Sequence, residues 1–189
     1  CSSDLFLKTC AKSNFDVASL EKKPAKKSSI APFTTSTLQQ EAGRKFGYAV
    51  SQTMSVAQKL YEEGFITYMR TDSVNLSDFA TNAIAQQITT AYGKEFLAIK
   101  KYANKTKGAQ EAHEAIRPTN ISLILPEDVT KNASRVYTLI RNRAMMSCMT
   151  DMISSVIKYK ISAPMGCVYN YKSTRIEFHG WNIVTHYHK

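Results

Sequence analysis

The apolar positions of this chain change their spacing twice. From about Ser36 to Met149 they recur every three or four residues, as in helices that bury one face. Outside that stretch they alternate with polar residues, as in half-buried strands. Near the start, Asn14-Phe15-Asp16-Val17 alternates. Near the end, Ser155 to Ile161 partly alternates and Arg175-Ile176-Glu177-Phe178 does so again, with Ala163-Pro164-Met165-Gly166 suited to a turn between them.

The middle divides into helices by its capping and stop residues. Ser36-Thr37-Leu38-Gln39 has capping-box spacing and predicts a helix to Phe46, stopped by Gly47. A second helix runs from about Ser51 to Glu63, with Met54, Ala57, Gln58 and Tyr61 at helical spacing and Gly64 as its stop. Ser77 caps a third, whose stripe is Phe79, Ala83, Ile84, Ile88 and Tyr92 before Gly93. A long helix from about Asn132 to Met149 repeats Val136, Leu139, Ile140, Arg143, Ala144 and Met146. Phe65-Ile66-Thr67-Tyr68 is too short for a helix and rich in strand formers. Glu111 to Ile116 reads as a short helix broken by Pro118. The lysine-rich segments Glu21 to Ser29 and Lys100 to Gly108 read as solvated linkers or loops. The expected fold is α+β: a mainly helical domain, residues 32–153, inserted into a small antiparallel β domain supplied by residues 1–31 and 154–189.

Composition narrows the partners. A hydrophobic fraction of 43% over 189 residues supports a folded core. No apolar run is long enough for a membrane span, so no membrane association is expected. Cys1, Cys10, Cys148 and Cys167 form no CxxC pair, which fits a reducing cytoplasm. There is no HExxH and no Asp-x-Asp, so no metal ligands are assigned. The net charge of +10 is spread along the chain and favours polyanions, nucleic acid first. The start, Cys1-Ser2-Ser3-Asp4, lacks both an initiator methionine and a signal peptide, and the chain is expected to be cut from a longer one.

The chemistry concentrates in Thr67-Tyr68-Met69-Arg70-Thr71-Asp72-Ser73. In an extended segment, side chains at alternate positions share a face, so Tyr68, Arg70 and Asp72 project together. A guanidinium can hold a phosphate oxygen bidentately while a phenol oxygen attacks the phosphorus. For Tyr-x-Arg-x-Asp taken alone the plainer reading, a packed tyrosine beside a surface ion pair, is the commoner one, since sparse motifs recur by chance.

Two further stretches decide between them. Pro32-Phe33-Thr34-Thr35-Ser36-Thr37-Leu38-Gln39-Gln40, Ala57 through Ser73, and Gln110-Glu111-Ala112-His113-Glu114-Ala115-Ile116-Arg117-Pro118-Thr119 together closely resemble the type IA DNA topoisomerases. Met69 after the tyrosine is similar to the bacterial topoisomerase I group. The flanking strands resemble the arch domain that this family wraps around its tyrosine domain.

The resemblance implies that Tyr68 attacks one DNA strand and holds its 5′ phosphate as a phosphotyrosine ester, relaxing negative supercoils without ATP. It implies that Arg70 steadies the scissile phosphate and that His113 contacts DNA near the break. Asp72 either orients Arg70 or caps the next segment. Arg117 either contacts a phosphate or pairs with Glu114. Thr34, Thr35 and Ser36 sit where a helix N-terminus receives phosphate, or serve as caps. The implied partners are DNA, especially its single-stranded segments, and the remaining domains of the same enzyme. The family uses Mg2+, bound by acidic residues in a separate domain that this chain lacks. The chain alone is therefore expected to be inactive. The competing reading is a non-catalytic nucleic-acid-binding module in which Tyr68 stacks on a base. A helical protein-interaction domain would require a large exposed apolar face that the sequence does not provide.

Overall fold

In the computed structural model, residues 2–103 and 113–186 are described. The chain folds as α+β, with helices in the middle and a three-stranded antiparallel sheet built from strands near both ends. It divides into two compact units. One comprises the residues up to Lys27 and Met152–His179; the other comprises Ser28–Asp151 together with the residues from Gly180 onward.

The sheet unit contains helix α1 (Ser2–Lys12) and strands β1 (Val17–Lys27), β2 (Met152–Ser162) and β3 (Val168–Phe178), in the order β1-β2-β3. Leu20 pairs with Tyr159, which pairs with Tyr171, and the two tyrosine rings lie 5.8 Å apart. The first residues form a helix, where the sequence reading assigned no element. The lysine-rich segment read as a solvated linker is instead most of β1, and its place on the sheet edge explains this. Pro24 lacks an amide hydrogen and is tolerated where only one side of the strand is paired. Lysines on an edge also discourage pairing with further strands. Between β2 and β3, Pro164–Gly166 makes a 3-10 turn with Met165 at φ 61°.

The helical unit contains α2 (Thr35–Phe46), α3 (Val50–Glu62), α4 (Asp78–Tyr92) and α5 (Lys131–Ser147). Gly47 (φ 70°) and Gly64 (φ 76°) stop α2 and α3 in the left-handed region, where glycine carries no Cβ penalty. One core cluster joins Phe33, Leu38, Leu60, Ile66 and Met69 to Val136, Tyr137 and Ile140 of α5. A second packs Ile84 and Ile88 of α4 against Met145, Met149, Trp181 and Val184. Every residue of the α5 repeat read from the sequence is buried.

Three local expectations shift. Thr34, not Ser36, caps α2, with Thr37 completing the capping box. Overlapping hydroxyls at positions 34 to 37 allow several such boxes; the one chosen places Leu38 and Ala42 in the core. On α4 the buried positions are Ala80, Ile84 and Ile88, while Phe79 is 77% exposed. Residues 113–116 are not helical, because their backbone bonds to neighbouring segments instead. The remainder of that expected helix, and the loop after position 103, lie outside the described residues.

Candidate active site

The site begins where α3 stops. Phe65 N donates to Leu60 O (2.9 Å), and Ile66 is buried and forms an isolated bridge with Pro118. Thr67 N donates to Arg117 O (2.9 Å), and Thr119 N donates to Phe65 O (3.0 Å). The Thr67 hydroxyl donates to Ala115 O (2.8 Å) and accepts from Arg117 N (3.0 Å). On its other side the 113–119 segment bonds Ile116 N to Phe33 O and Ala115 N to Asn75 O, each at 2.8 Å. Described residues of the three stretches quoted above for the resemblance, far apart in sequence, thus lie side by side.

After Thr67 no regular strand continues; bends interrupt it. The alternation nevertheless holds. Tyr68 is 45% exposed, Met69 only 4%, Arg70 and Asp72 are exposed, and Ser73 is wholly buried. The ladder bonds of a strand are replaced by bonds to the start of α2. The Thr35 hydroxyl donates to Met69 O (2.8 Å) and also lies 3.1 Å from Thr71 O, while it accepts from Thr71 N (2.8 Å). Thr35 N donates to Thr71 O (2.9 Å). Both neighbours of Arg70 are therefore tied to one residue.

These bonds change how the α2 N-terminus is read. The first amides of a helix lack internal partners and can receive an anion. Here Thr35 N is taken by Thr71 O and Thr37 N by the Thr34 hydroxyl. The end is largely committed to caps and to the 69–71 backbone.

Tyr68 stands edge-on to Tyr61 of α3, with ring centroids 5.2 Å apart. Gln58, on the same helix, is exposed and donates to Glu62 Oε1 at 2.8 Å. His113 is exposed at the start of the 113–119 segment. Arg117 is held by Glu114: Nη2 and Nε donate to Glu114 Oε2 at 2.6 and 3.1 Å, and Nη1 donates to Pro118 O at 3.0 Å. The other oxygen, Glu114 Oε1, accepts from Ser77 N at 2.6 Å, beside the start of α4. Burial pushes the Glu114 carboxyl up, but the bonds from Ser77 and Arg117 outweigh it and hold the carboxyl below its ordinary value.

The sequence reading missed Thr35 as a tie, Glu114 as a link between α4 and Arg117, and Tyr61 as the neighbour of Tyr68. Each of the first two acts across more than thirty positions, for which spacing carries no signal.

Among the described residues no group of three His, Cys, Asp or Glu side chains could hold a metal ion. The most buried carboxylates are committed to cations: Glu41 to Arg143 and Arg44, Glu114 to Arg117, and Asp151 to Lys100. These residues do not fit a magnesium site.

The fold and the three apposed motifs define a chain of the DNA topoisomerase class. Residues 2–189 match the family described as DNA topoisomerase, and the chain belongs to that family. The resemblance to the type IA enzymes read from the motifs stands. The chain is 44% identical over 175 residues to DNA topoisomerase 1 of Streptomyces coelicolor, covering 88% of this chain and 18% of that protein. It is 50% identical over 139 residues to DNA topoisomerase 1 of Synechocystis, covering 71% and 16%. The structure of full-length topoisomerase I from Thermotoga maritima superposes with a TM-score of 0.81 at 31% identity, over 97% of this chain and 32% of that one. The chain thus spans less than a fifth of the length of these curated relatives.

Proposed function

We propose that Tyr68 is the nucleophile with which a type IA topoisomerase containing this chain breaks and rejoins one DNA strand. The Tyr68 oxygen attacks the phosphorus as its proton leaves. A Tyr68–O–P ester to the 5′ phosphate forms, the bond from phosphorus to the 3′ oxygen breaks, and that oxygen takes up a proton. The returning 3′ hydroxyl reverses the step, so the bond energy is kept in the ester and no ATP is consumed. Relaxation of negative supercoils, acting on single-stranded segments in the cytoplasm, follows from strand passage through the gap.

The observation that carries this reading is the exposure of Tyr68 and Arg70 on a backbone whose intervening residue, Met69, is buried. Arg70 is assigned to the scissile phosphate, where a fixed donor stabilises developing charge. Asp72, exposed two residues on, is assigned to orienting Arg70, and His113 to DNA beside the break. Arg117 has its nitrogens engaged by Glu114 and Pro118 and is assigned to holding the His113 segment. The sheet unit is assigned to the arch and the helical unit to the tyrosine domain. Mg2+ belongs to acidic residues of the enzyme outside this chain. The chain alone is expected not to relax supercoiled plasmid when magnesium is supplied; relaxation by it would contradict this assignment.

The ester's polarity tests the reaction. A single-stranded oligonucleotide is labelled on either side of the break and cleaved by the full-length enzyme, then trapped with denaturant. Label 3′ of the break is expected to remain on the protein. Retention of the upstream label would overturn the proposed ester. Absence of any adduct would favour the non-catalytic binding module, which shares the basic charge of +10.

A further inference from the structure

We infer that Thr35 is a positioning residue for Arg70, and that its hydroxyl is the feature the reaction requires. This rests on the assignment of Arg70 to the scissile phosphate. The geometry is specific. Arg70 lies between Met69 and Thr71, and Thr35 binds the carbonyl of the first and both backbone polar groups of the second. A hydroxyl has one proton and two acceptor sites. Here it donates to Met69 O at 2.8 Å and accepts from Thr71 N at 2.8 Å, so it spans the backbone on both sides of Arg70.

Thr35 is itself fixed. It is the first residue of α2, directly after the cap Thr34, whose hydroxyl and amide are both engaged with Thr37. Two turns of buried contact, Leu38 and Ala42, seat the helix in the core. Arg70 itself is exposed, outside the buried core. Its Cα position is set by Thr35, and through it by the core. An exposed arginine on an untethered loop would sample many positions, whereas displacement of a catalytic group by 1 Å can cost about a hundredfold in rate.

A purely structural role for Thr35 would predict something else. Any loss would then track stability or DNA binding, and would not depend on whether an arginine stands at position 70. These alternatives separate in the full-length enzyme. Thr35→Val keeps the shape and removes the hydroxyl; Thr35→Ser keeps the hydroxyl. Single-turnover cleavage of a single-stranded oligonucleotide is expected to fall about ten- to a hundredfold in Thr35→Val. Oligonucleotide affinity is expected to stay within about threefold, and Thr35→Ser to recover cleavage to within about threefold of the parent.

The second arm uses Arg70→Ala. If Thr35 acts through Arg70, adding Thr35→Val to Arg70→Ala produces little further loss, because coupled residues are non-additive. A full additional loss in the double variant would overturn the inference, as would wild-type cleavage by Thr35→Val or failure of Thr35→Ser to recover. The Arg70 cycle can also be run with Thr35→Ser against Thr35→Ala if the valine variant does not fold. The inference fails separately from the function: loss of the adduct in Tyr68→Phe with normal cleavage in Thr35→Val would reject Thr35 and retain the nucleophile.

Discussion

The Tyr68 ring meets the Tyr61 ring edge to face, with centroids 5.2 Å apart. Both residues are more than 40% exposed, so the contact restrains a side chain that lies largely outside the core. Such pairs contribute about 0.5–1.5 kcal/mol beyond area burial. Tyr61→Ala is expected to slow cleavage about two- to twelvefold, the equivalent of that energy. Tyr61→Phe keeps the ring and is expected to match the parent. Single-turnover cleavage rates check both. Equal losses in the two variants would assign the effect to the Tyr61 hydroxyl instead.

Glu114 ties Arg117 to the start of α4, and its effect depends on pH. Its carboxyl lies below the ordinary value of 4.5 in the folded protein. On acidification the unfolded chain takes up this proton before the folded one. The stabilisation is therefore complete above about pH 4.5 and is lost as pH falls through the lower folded value. Glu114→Gln is expected to destabilise the protein by about 1–3 kcal/mol at pH 7, since it leaves the largely buried Arg117 with a weaker partner. It should also show a shallower fall in stability between pH 5 and 3, within the usual acid range. Denaturation midpoints across that range measure both.

Gly180 has φ 48°, and a Cβ built there would lie 2.3 Å from Asp151 O. The obstacle is backbone and cannot swing away. Gly180→Ala is expected to cost about 2 kcal/mol or more, through strain and displacement together. Gly47 has φ 70° but nothing within 4 Å of its Cβ position, so Gly47→Ala is expected to cost only about 1 kcal/mol. Urea midpoints at unchanged slope would show the difference.

The cysteines differ in burial. Cys148 is buried, and burial pushes its thiol up despite the Ser147 contact; Cys167 is exposed. Since the thiolate is the reactive form, iodoacetamide at about pH 8 is expected to label Cys167 in the native protein. Cys148 is expected to react only after denaturation. Peptide mapping by mass spectrometry distinguishes them.

Helices α2, α3 and α4 were legible because their ends are marked locally. Gly47, Gly64, Ser77 and Gly93 flank α2, α3 and α4 within a residue or two of the expected places. The first strand was not legible. Lys22, Lys23, Pro24, Lys26 and Lys27 are the residues of a loop by composition, and only pairing with β2 makes them a strand. At the site, the alternating exposure of Tyr68, Arg70 and Asp72 followed from their spacing. What holds that backbone did not, because Thr35 acts from 34 and 36 positions away. Its hydroxyl looked like one of several caps at a helix start. Arg117 illustrates the same limit: two partners fitted its spacing, and in the fold Glu114 engages it at 2.6 Å.

Formation of the bond to DNA by the Tyr68 oxygen is the proposed event on which the other roles depend. It is tested most directly by trapping the covalent protein–DNA adduct with denaturant, using the full-length enzyme and its Tyr68→Phe variant on a labelled single strand. Phenylalanine keeps the ring and its contact with Tyr61 while removing only the attacking oxygen. An adduct is expected in the parent and none in Tyr68→Phe, with the strand still bound. An adduct that persists in Tyr68→Phe would contradict the proposal.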